Sequence, residues 1–559
     1  MIRTFAIATA ASFALLPTSL SAQGLDPALL TKPATDSWPT YAGDYSQRRY
    51  STLKQINQSN IRHLALQWMG TLPTGTGEGA AAGPGAGDPI PTIIGGVAEK
   101  TVAVGPPRVG GAILQVNGIL YISAPDNAWA VDARDGTVLW HYFWKTRGGT
   151  HIGNRGMAMY GDWLYFETPD DYLVSLDAKT GKERWHKEIA DFAQEYFSTP
   201  APIVVGNHVL VGTGDDLDSP GFLQSFDPVT GDLQWKYYTV PMQKGDPGLD
   251  TWANLDAARH GGAQVWIPGS YDPETHLYIF PTGNPTPAYT NATRGEGDNL
   301  YTCSIIALNV DTGKVAWYYQ TAPHDTHDWD STQAPVLVDG MFGGKPRKMV
   351  MQAARNGYFF VVDRVTGEHL LTSKFSATAN WAKEIDKQGR PVRDPAKDMS
   401  LAGTLVSPDN GGATNWQQPS YSPDTGLFYL PTREVYAMYY QTEKDERLVA
   451  GLGGKEEDAV GSLGATITAI DYKTGKIAWK HRFPSGGANI TGLLSTAGGL
   501  LFGSDSAGNF VAYDPLKGNP IWHARIGNVS NAPETYTLDG KQYVIVAVGA
   551  TLVTFALNP

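Results

Sequence analysis

Cysteine is almost absent from this 559-residue chain, which contains only Cys303. A single cysteine excludes an intrachain disulfide, and it also excludes a CxxCH motif for a covalently bound c-type haem within these residues. No run approaches the roughly 20 apolar residues that a transmembrane helix needs. Stability must therefore come from a packed core, for which 16 tryptophans supply large apolar surfaces.

Long blocks of like charge are absent as well. The 43 Lys and Arg residues and the 55 Asp and Glu residues are interspersed and give a formal net charge of −12. This balance argues against a nucleic-acid partner or an anionic membrane surface, and it suits a soluble enzyme that meets a cationic partner.

The N-terminus has the three parts of a secretory signal peptide in residues 1–22. Arg3 gives a positive start, an apolar stretch follows, and Ser21 and Ala22 supply small residues at the cleavage zone. The alternative is a membrane anchor, for which the apolar stretch is too short. We therefore expect residues 23–559 to be a periplasmic protein that folds as a single domain.

A nine-residue phrase, Asp/Asn-x-x-Thr-Gly-x-x-x-Trp, recurs seven times. Its Asp and Thr side chains can cap a turn, its Gly permits a positive φ, and its Trp begins the next strand. Three copies are incomplete, because Leu371 replaces the Trp while Asp135 and Lys517 replace the Thr. The copies are Asp132–Trp140, Asp177–Trp185, Asp227–Trp235, Asn309–Trp317, Asp363–Leu371, Asp471–Trp479 and Asp514–Trp522.

The spacing of the copies indicates the architecture. The shortest intervals are 43 to 54 residues, the period of a four-stranded propeller blade, and two longer intervals contain further strand phrases at 271–280 and 421–430. Together with a strand around Trp68, they predict seven or eight blades. We favour an all-β propeller of eight four-stranded antiparallel blades joined by tryptophan-docking repeats. Surface loops are expected at 71–97, 382–400 and 441–460.

Three polar segments could carry chemistry. Residues 323–330 hold three carboxylates and two imidazoles, which suits metal binding or acid–base catalysis, or a turn in which they satisfy backbone groups. Residues 214–218 form an acidic loop after an apolar strand, and Asn284 follows another strand in a Gly-Asn-Pro phrase that could also be a simple turn. Such oxygen donors suit Ca²⁺ better than zinc.

With Gly261-Gly262, Trp266 and the closing phrase at 539–544, these segments resemble the quinoprotein alcohol dehydrogenases. The resemblance extends from Trp38 to the C-terminus. It implies a periplasmic eight-bladed propeller that binds PQQ and Ca²⁺, oxidises an alcohol by hydride transfer to the quinone, and passes electrons to a soluble cytochrome c.

The resemblance also implies roles for particular residues. Asp330 would be the catalytic base, and Arg355 would contact the quinone oxygens. Trp266 would be the indole on which the quinone stacks, and Asp216 and Asn284, with Asp330, would hold the metal. The further cofactor contacts would be Arg155, Thr199, Asn415 and Trp416.

Three departures from the family pattern bear on the site. Residues 148–153 stand where the family often carries an adjacent-cysteine disulfide over the quinone, so the cover would be backbone, Thr150 or His151. Asp216 stands in place of the usual Glu, which leaves Asp215 or Asp218 as alternative ligands. Thr332 stands where lanthanide-dependent members carry an Asp, which favours Ca²⁺ over a lanthanide.

The sequence leaves open whether the protein is an enzyme and, if so, which class of alcohol it oxidises. The rival hypothesis is a non-catalytic propeller that serves as a scaffold for protein assembly in the cell envelope, because propellers host many functions. Within the enzyme hypothesis, the missing cysteine pair and the Gly-rich 71–97 segment favour a bulky or secondary alcohol over methanol.

Overall fold

The computed structural model describes residues 24–75, 90–103, 105, 107–441, 455–483 and 491–558. The predicted signal peptide at 1–22 lies outside these residues. Strands dominate, and no helix in the described ranges is long and apolar enough to cross a membrane. The helical elements are α1 (Leu255–Arg259) and 3-10 turns at Pro27–Thr31, Ile61–His63, Phe192–Gln194, Leu249–Thr251 and Pro395–Lys397.

The first nineteen strands cover the chain as far as residue 320. They are β1 (Tyr50–Ser51), β2 (Leu64–Thr71), β3 (Thr92–Gly96), β4 (Leu114–Val116), β5 (Ile119–Ala124), β6 (Asn127–Asp132), β7 (Val138–Lys145), β8 (Ala158–Tyr160), β9 (Trp163–Glu167), β10 (Tyr172–Asp177), β11 (Glu183–Glu188), β12 (Ile203–Val205), β13 (His208–Gly212), β14 (Phe222–Phe226), β15 (Leu233–Tyr238), β16 (Ser270–Asp272), β17 (Leu277–Pro281), β18 (Ser304–Asn309) and β19 (Lys314–Gln320).

The remaining strands follow from residue 336 onwards. They are β20 (Val336–Phe342), β21 (Lys345–Ala353), β22 (Tyr358–Asp363), β23 (His369–Lys374), β24 (Ala382–Ile385), β25 (Pro391–Arg393), β26 (Thr404–Val406), β27 (Ser420–Ser422), β28 (Leu427–Gln441), β29 (Lys455–Asp471), β30 (Ile477–Arg482), β31 (Leu494–Thr496), β32 (Leu500–Ser504), β33 (Asn509–Tyr513), β34 (Pro520–Arg525), β35 (Glu534–Leu538), β36 (Lys541–Val548) and β37 (Thr551–Leu557).

Across the described residues these strands form eight sheets of four or five strands and a small sheet of β24 and β25. Four sheets consist of consecutive antiparallel strands alone: β8–β11, β12–β15, β16–β19 and β20–β23. The sheet of β4–β7 gains β3, and that of β27–β30 gains β26. Near the C-terminus, β35–β37 pair with β2 and β31–β34 pair with β1. N-terminal strands thus complete two sheets that C-terminal strands build.

Tryptophans of the repeats join neighbouring sheets. Trp140 donates its Nε1–H to the carbonyl of Ala178 at 3.0 Å, and its ring covers Gly181 in the following turn. Gly181 has φ +68°, and a Cβ there would lie 2.6 Å from the indole. Both the backbone conformation and the contact with the ring therefore favour glycine at this position. The same contact joins Trp68 to Gly136, Trp185 to Gly231, Trp235 to Gly313, Trp317 to Gly367 and Trp479 to Gly518.

The predicted loops are partly wrong. Residues 92–96 form β3, which runs parallel to β7, while residues 76–89 lie outside the described residues. The 382–400 segment contains β24 and β25, and the expected loop at 441–460 includes the end of β28 and the start of β29. Residues from β26 and β29 pair along β28, so hydrogen bonding overrides the polar composition of this region.

Candidate active site

A cavity of about 520 Å³ lies at one edge of seven of the eight larger sheets. Its residues precede the first strand or follow the second strand of a sheet, and these two positions share an edge when the strands are antiparallel. A rigid set of strands therefore brings together side chains that are far apart in sequence. Eight predicted site residues line the cavity: Arg155, Thr199, Asp216, Trp266, Asn284, Asp330, Arg355 and Trp416.

Asn415 does not line this cavity. Its Oδ1 accepts a hydrogen bond from the backbone N–H of Trp416 at 2.8 Å, and its Nδ2 donates to the carbonyl of Gly411 at 3.0 Å. Both polar ends of Asn415 are thus engaged locally, and the side chain shapes the backbone that carries Trp416.

Asp330 lies at the centre of the polar wall and is only 3 % exposed. Its Oδ1 accepts the backbone N–H of Asn284 at 2.6 Å, and its Oδ2 accepts the indole N–H of Trp266 at 2.9 Å. The Arg355 Nη2 lies 3.1 Å from the same Oδ2. Three donors therefore fix the orientation of one carboxylate at the cavity wall.

Burial and the neighbouring donors have opposite effects on the pKa of Asp330. Burial raises the pKa of Asp330, while the Arg355 guanidinium and the Asn284 N–H act against this shift. Burial also disfavours the charged form of Arg355, yet Asp330 and Asp328 outweigh it and raise the pKa of Arg355. Asp330 thus has a higher proton affinity than an exposed aspartate, and its ionised form is hydrogen-bonded, which suits a proton acceptor.

Asp328 is a cavity residue that was not among the predicted site residues. Arg355 donates through Nη1 to the Asp328 carbonyl at 2.9 Å and lies 3.2 Å from its Oδ1. The hydroxyl of Tyr289 donates to Asp328 Oδ2 at 3.1 Å. Asp328 and Asp330 therefore share one guanidinium. Their two-residue spacing could have indicated this pairing, whereas no sequence pattern pointed to the cavity residues Gln264 and Phe197.

Some residues of the 323–330 segment stabilise a turn, and others line the cavity. The Asp325 carboxylate accepts the backbone N–H groups of His327 and Trp329, at 3.3 and 3.1 Å. The His327 ring stacks on Trp329 with centroids 4.3 Å apart, and His324 Nδ1 lies 2.7 Å from the Gly297 carbonyl. These residues stabilise the turn, and only Asp328 and Asp330 of the cluster line the cavity.

Arg155 is a partly buried cation that lies beside two tryptophans. Its Cζ lies 4.7 Å from the Trp266 ring centroid and 5.4 Å from that of Trp416. Among the residues that the structure describes, no carboxylate forms an ion pair with it, and burial lowers its pKa to about 10. Because a buried charge is costly without a counter-charge, this arrangement favours an anion in the cavity.

Other buried polar atoms at the cavity wall also lack hydrogen-bond partners within the described part of the chain. Each such atom costs about 1–3 kcal/mol when it stays unpaired. Both donors and acceptors are represented, so the wall matches a polar ligand that carries several functional groups. The atoms are Thr199 Oγ1, Asp215 Oδ1, Gln264 Oε1, Arg155 Nε and Arg355 Nε.

The acidic loop places its three carboxylates differently. Asp216 lines the cavity and forms an ion pair with His151 Nε2. Asp215 is buried at the wall, and burial raises its pKa to about 7. Asp218 lies outside the cavity wall and pairs with His260 at 3.1 Å. Asp218 is therefore poorly placed for the ligand role that the sequence left open.

Metal coordination by acidic and imidazole side chains alone is not supported. Within the described ranges, no group of three or more His, Cys, Asp or Glu side chains is spaced to hold a metal ion. A cation at this wall would thus need amide or carbonyl oxygens beside the carboxylates. The side chain of Asn284 and the unpaired Gln264 Oε1 lie on the same wall.

Comparison with known proteins identifies the family. The family described as PQQ glucose/ethanol/alcohol dehydrogenase, β-propeller domain, matches residues 38–380 and 464–544. Quinohemoprotein alcohol dehydrogenase ADH IIB of Pseudomonas putida is 35% identical, over 95% of this chain and 76% of its own. The 1-butanol dehydrogenase (cytochrome c) of Thauera butanivorans is 31% identical, over 92% of this chain and 75% of its own.

A solved structure agrees with these sequence relatives. A europium-containing methanol dehydrogenase superposes with a TM-score of 0.80 at 27% identity, over 95% of this chain and 99% of its own. The predicted all-β propeller class and quinoprotein assignment are thereby confirmed. This chain belongs to the PQQ-dependent alcohol dehydrogenase family, whose members are oxidoreductases built on a β-propeller domain.

Proposed function

We propose that this protein is a periplasmic dehydrogenase that oxidises a bulky or secondary alcohol to a ketone or aldehyde and passes the electrons to a soluble cytochrome c. Asp330 is its catalytic base. The supporting observation is the fixed Asp330 carboxylate, which receives hydrogen bonds from Trp266 and Asn284 while it lines the cavity. Three donors orient it without satisfying every lone pair, so it can still accept a proton.

The residues of the cavity fit PQQ, a planar tricarboxylate. The Arg155 guanidinium, which forms no ion pair with the described residues, provides a counter-charge, and the Thr199 hydroxyl has no hydrogen-bond partner among them. The Trp266 indole supplies an aromatic surface for a flat ring system, and Trp416 lies nearby. Arg355 lies 5.3 Å from the Trp266 ring and can donate to quinone oxygens. When bound, PQQ supplies the two-electron acceptor for hydride from the carbinol carbon.

Asp216, Asn284 and Asp330 would hold a Ca²⁺ ion, which supplies a Lewis acid when bound. Carboxylate and amide oxygens are the ligands that Ca²⁺ prefers. Asp215, whose Oδ1 is buried and unpartnered, is an alternative donor on the same loop. Thr332 provides no additional carboxylate near Asp330, which favours Ca²⁺ over a lanthanide.

The chain's own residues then divide the work. Asp330 takes the hydroxyl proton of the alcohol, and the N–H groups of Trp266 and Asn284 keep its carboxylate aimed at the cavity. Arg355 pairs with Asp330 and Asp328, so it balances their negative charge and stabilises charge that develops beside them. The surrounding strands keep these groups fixed during the reaction.

The eight larger sheets are proposed to be the blades of an eight-bladed propeller formed by residues 23–559. Successive sheets pack against each other, since one buried cluster includes Trp144, Phe166, Leu210 and Phe280 from four successive sheets. The pairing of β2 with β37 joins the ends of the chain, which is how such a ring is held closed. The cavity would then lie at one end of the propeller axis.

A reconstitution experiment tests the proposal. Purified metal-free protein would receive PQQ and Ca²⁺, or a lanthanide in place of Ca²⁺, singly and together. Dye reduction would then be measured with methanol, 1-butanol, secondary alcohols and polycyclic alcohols. We expect turnover only when PQQ and Ca²⁺ are both present, and the highest kcat/KM with a bulky or secondary alcohol. Reduction of cytochrome c by the same mixture would test the acceptor.

The opposite outcome has a defined meaning. Absence of PQQ binding and of alcohol oxidation under every combination would contradict the enzyme hypothesis and support the scaffold. Turnover with PQQ and the lanthanide, but not with PQQ and Ca²⁺, would show that the metal is a lanthanide. Fractionation of cells that express the full chain would test export, and recovery in the cytoplasm would contradict the proposed location.

A further inference from the structure

His151, Ile152 and Phe197 are neighbouring residues that line the cavity, and His151 and Ile152 are also exposed to solvent. His151 lines the cavity and 60 % of its side-chain surface is exposed, so it lies where the cavity meets solvent. Its partner Asp216 is 41 % exposed. His151 and Asp216 thus both lie at the rim of the cavity.

Two contacts hold the His151 ring in place. Its Nε2 pairs with the Asp216 carboxylate, and its ring centroid lies 4.8 Å from that of Phe197. Because Asp216 follows β13 and His151 precedes β8, the ion pair bridges loops from two adjacent sheets. The ion pair links these two loops without a disulfide, since the only cysteine of the chain is Cys303.

Phe197 is itself held rigidly. Its backbone exchanges two hydrogen bonds with Gly214, at 2.9 and 2.8 Å, and its ring covers the position where any side chain at residue 214 would lie. Only glycine permits this close approach. The loop that carries Asp216 therefore also fixes Phe197, so both contacts that hold His151 depend on residues 214–216.

The backbone of His151 shows that its position is maintained by these contacts. His151 has φ +43°, a left-handed conformation that is unfavourable for a residue with a side chain. The preceding Thr150 donates its hydroxyl to the Glu195 carbonyl at 3.2 Å and does not line the cavity. Strain of this kind persists where surrounding structure imposes it, and it concentrates at ligand-binding sites.

We propose that His151 and Phe197 are cofactor-retaining residues, which cover the bound quinone on the solvent side and slow its release. This inference rests on the proposed function. The two rings present flat apolar surface to a flat ligand, and the imidazole N–H orients the Asp216 carboxylate, one oxygen of which stays available to a metal. Removal of the ring opens the cavity to solvent without touching Trp266, Arg155 or Arg355.

The chain contains a matched control for this test. His260 and Asp218 form a second His–Asp ion pair at 3.1 Å, with side chains 49 % and 47 % exposed, and Asp218 lies on the same acidic loop as Asp216. Neither residue lines the cavity. Loss of the His260 pair therefore reports any general effect of loosening that loop.

The experiment measures the rate at which PQQ dissociates from the Ca²⁺-loaded holoprotein. Recovery of tryptophan fluorescence would be followed after mixing with an excess of an unrelated PQQ-binding apoenzyme as a trap. The variants are His151→Gly, which relieves the left-handed backbone, Phe197→Leu, and the control His260→Ala. We expect release at least about tenfold faster in His151→Gly and Phe197→Leu, and within twofold of the parent in His260→Ala.

The outcomes are distinguishable. Equal release rates in the parent, His151→Gly and Phe197→Leu proteins would overturn this inference and leave the proposed function intact. Equal acceleration in the His260→Ala control would also overturn it, since loop loosening would then be the cause. Failure of the parent protein to bind PQQ would instead contradict the proposed function. If His151→Gly does not fold, as judged by thermal unfolding of the apoprotein, Phe197→Leu decides the question.

Discussion

The tryptophans of the repeats and those of the cavity use the same side chain for different purposes. Trp140 is 2 % exposed, donates to a backbone carbonyl and covers a glycine, so its whole ring is engaged by the protein. Trp266 donates to the carboxylate of Asp330, and its ring faces Arg155 and Arg355. The partner of the indole N–H differs between these two tryptophans: it is a neutral backbone carbonyl for Trp140 and a carboxylate that lines the cavity for Trp266.

The largest effect is expected at the charged partner of Trp266. Asp330→Asn preserves the shape of the side chain but removes the proton acceptor, so kcat should fall about 10³-fold or more. PQQ affinity, measured by fluorescence titration, should change less than about tenfold. Asp218→Asn, outside the cavity wall, should retain parental turnover. Near-parental kcat in Asp330→Asn would remove Asp330 from the mechanism.

Next, arginines that lie over a tryptophan should differ according to whether that tryptophan lines the cavity, as Trp266 does, or lies outside it, as Trp163 does. Arg184 lies 3.8 Å from the Trp163 ring and also donates to Ser175 Oγ at 2.8 Å, whereas the Arg155 guanidinium has no such partner among the described residues. Arg155→Gln should weaken PQQ binding about 10- to 100-fold, the loss typical of one charge-assisted hydrogen bond, and leave apoprotein stability equal or higher.

Arg184→Gln should do the reverse, with a lower midpoint in urea unfolding and an unchanged Kd for PQQ. Calorimetric titration and urea unfolding of both variants test the pair. An Arg155→Gln protein that loses stability and keeps its affinity would place Arg155 with the structural residues.

The tryptophans themselves provide the third test. Trp266→Leu removes an aromatic surface at the cavity and should raise the Kd for PQQ about tenfold, with little change in unfolding free energy. Trp140→Leu should lower the unfolding free energy by about 3 kcal/mol and leave the Kd of the folded protein unchanged. Equal effects of the two substitutions on Kd would erase the distinction between the classes.

The sequence predicted the architectural class well because each repeat contains the residues that form its turn and dock it on the next sheet. The capping Asp, the turn Gly and the docking Trp lie within nine residues, so periodicity alone indicated sheets that dock through tryptophan. In the repeat at Asp177, the carboxylate accepts the N–H and hydroxyl of Thr180 at 2.8 and 2.6 Å, as the turn chemistry requires. The all-β propeller class and the family were therefore accessible from sequence.

The cavity was harder to predict because its residues come from loops, where alternation no longer tells which way a side chain points. Apart from the two-residue spacing between Asp328 and Asp330, nothing in the 323–330 segment separates Asp325, which caps backbone groups, from Asp328, which pairs with Arg355. The choice of His151 over Thr150 depends on Phe197 and on a glycine in another loop. Such choices are made by contacts between distant segments, and a single sequence does not encode them locally.

The incomplete repeat at Leu371 offers the smallest test. Leu371 occupies the tryptophan position, and a Cβ on Gly475 of the next repeat would lie 3.0 Å from its Cδ2, so the docking surface is present. The Tyr472 carbonyl follows Asp471 as the Ala178 carbonyl follows Asp177, and it would accept the indole N–H of Leu371→Trp. We expect about 1 kcal/mol of stabilisation in urea unfolding, from one hydrogen bond and added apolar burial, with kcat and Kd unchanged. Destabilisation would show that Ser373, beside Gly475, crowds the larger ring, and that this sheet interface has adapted to leucine.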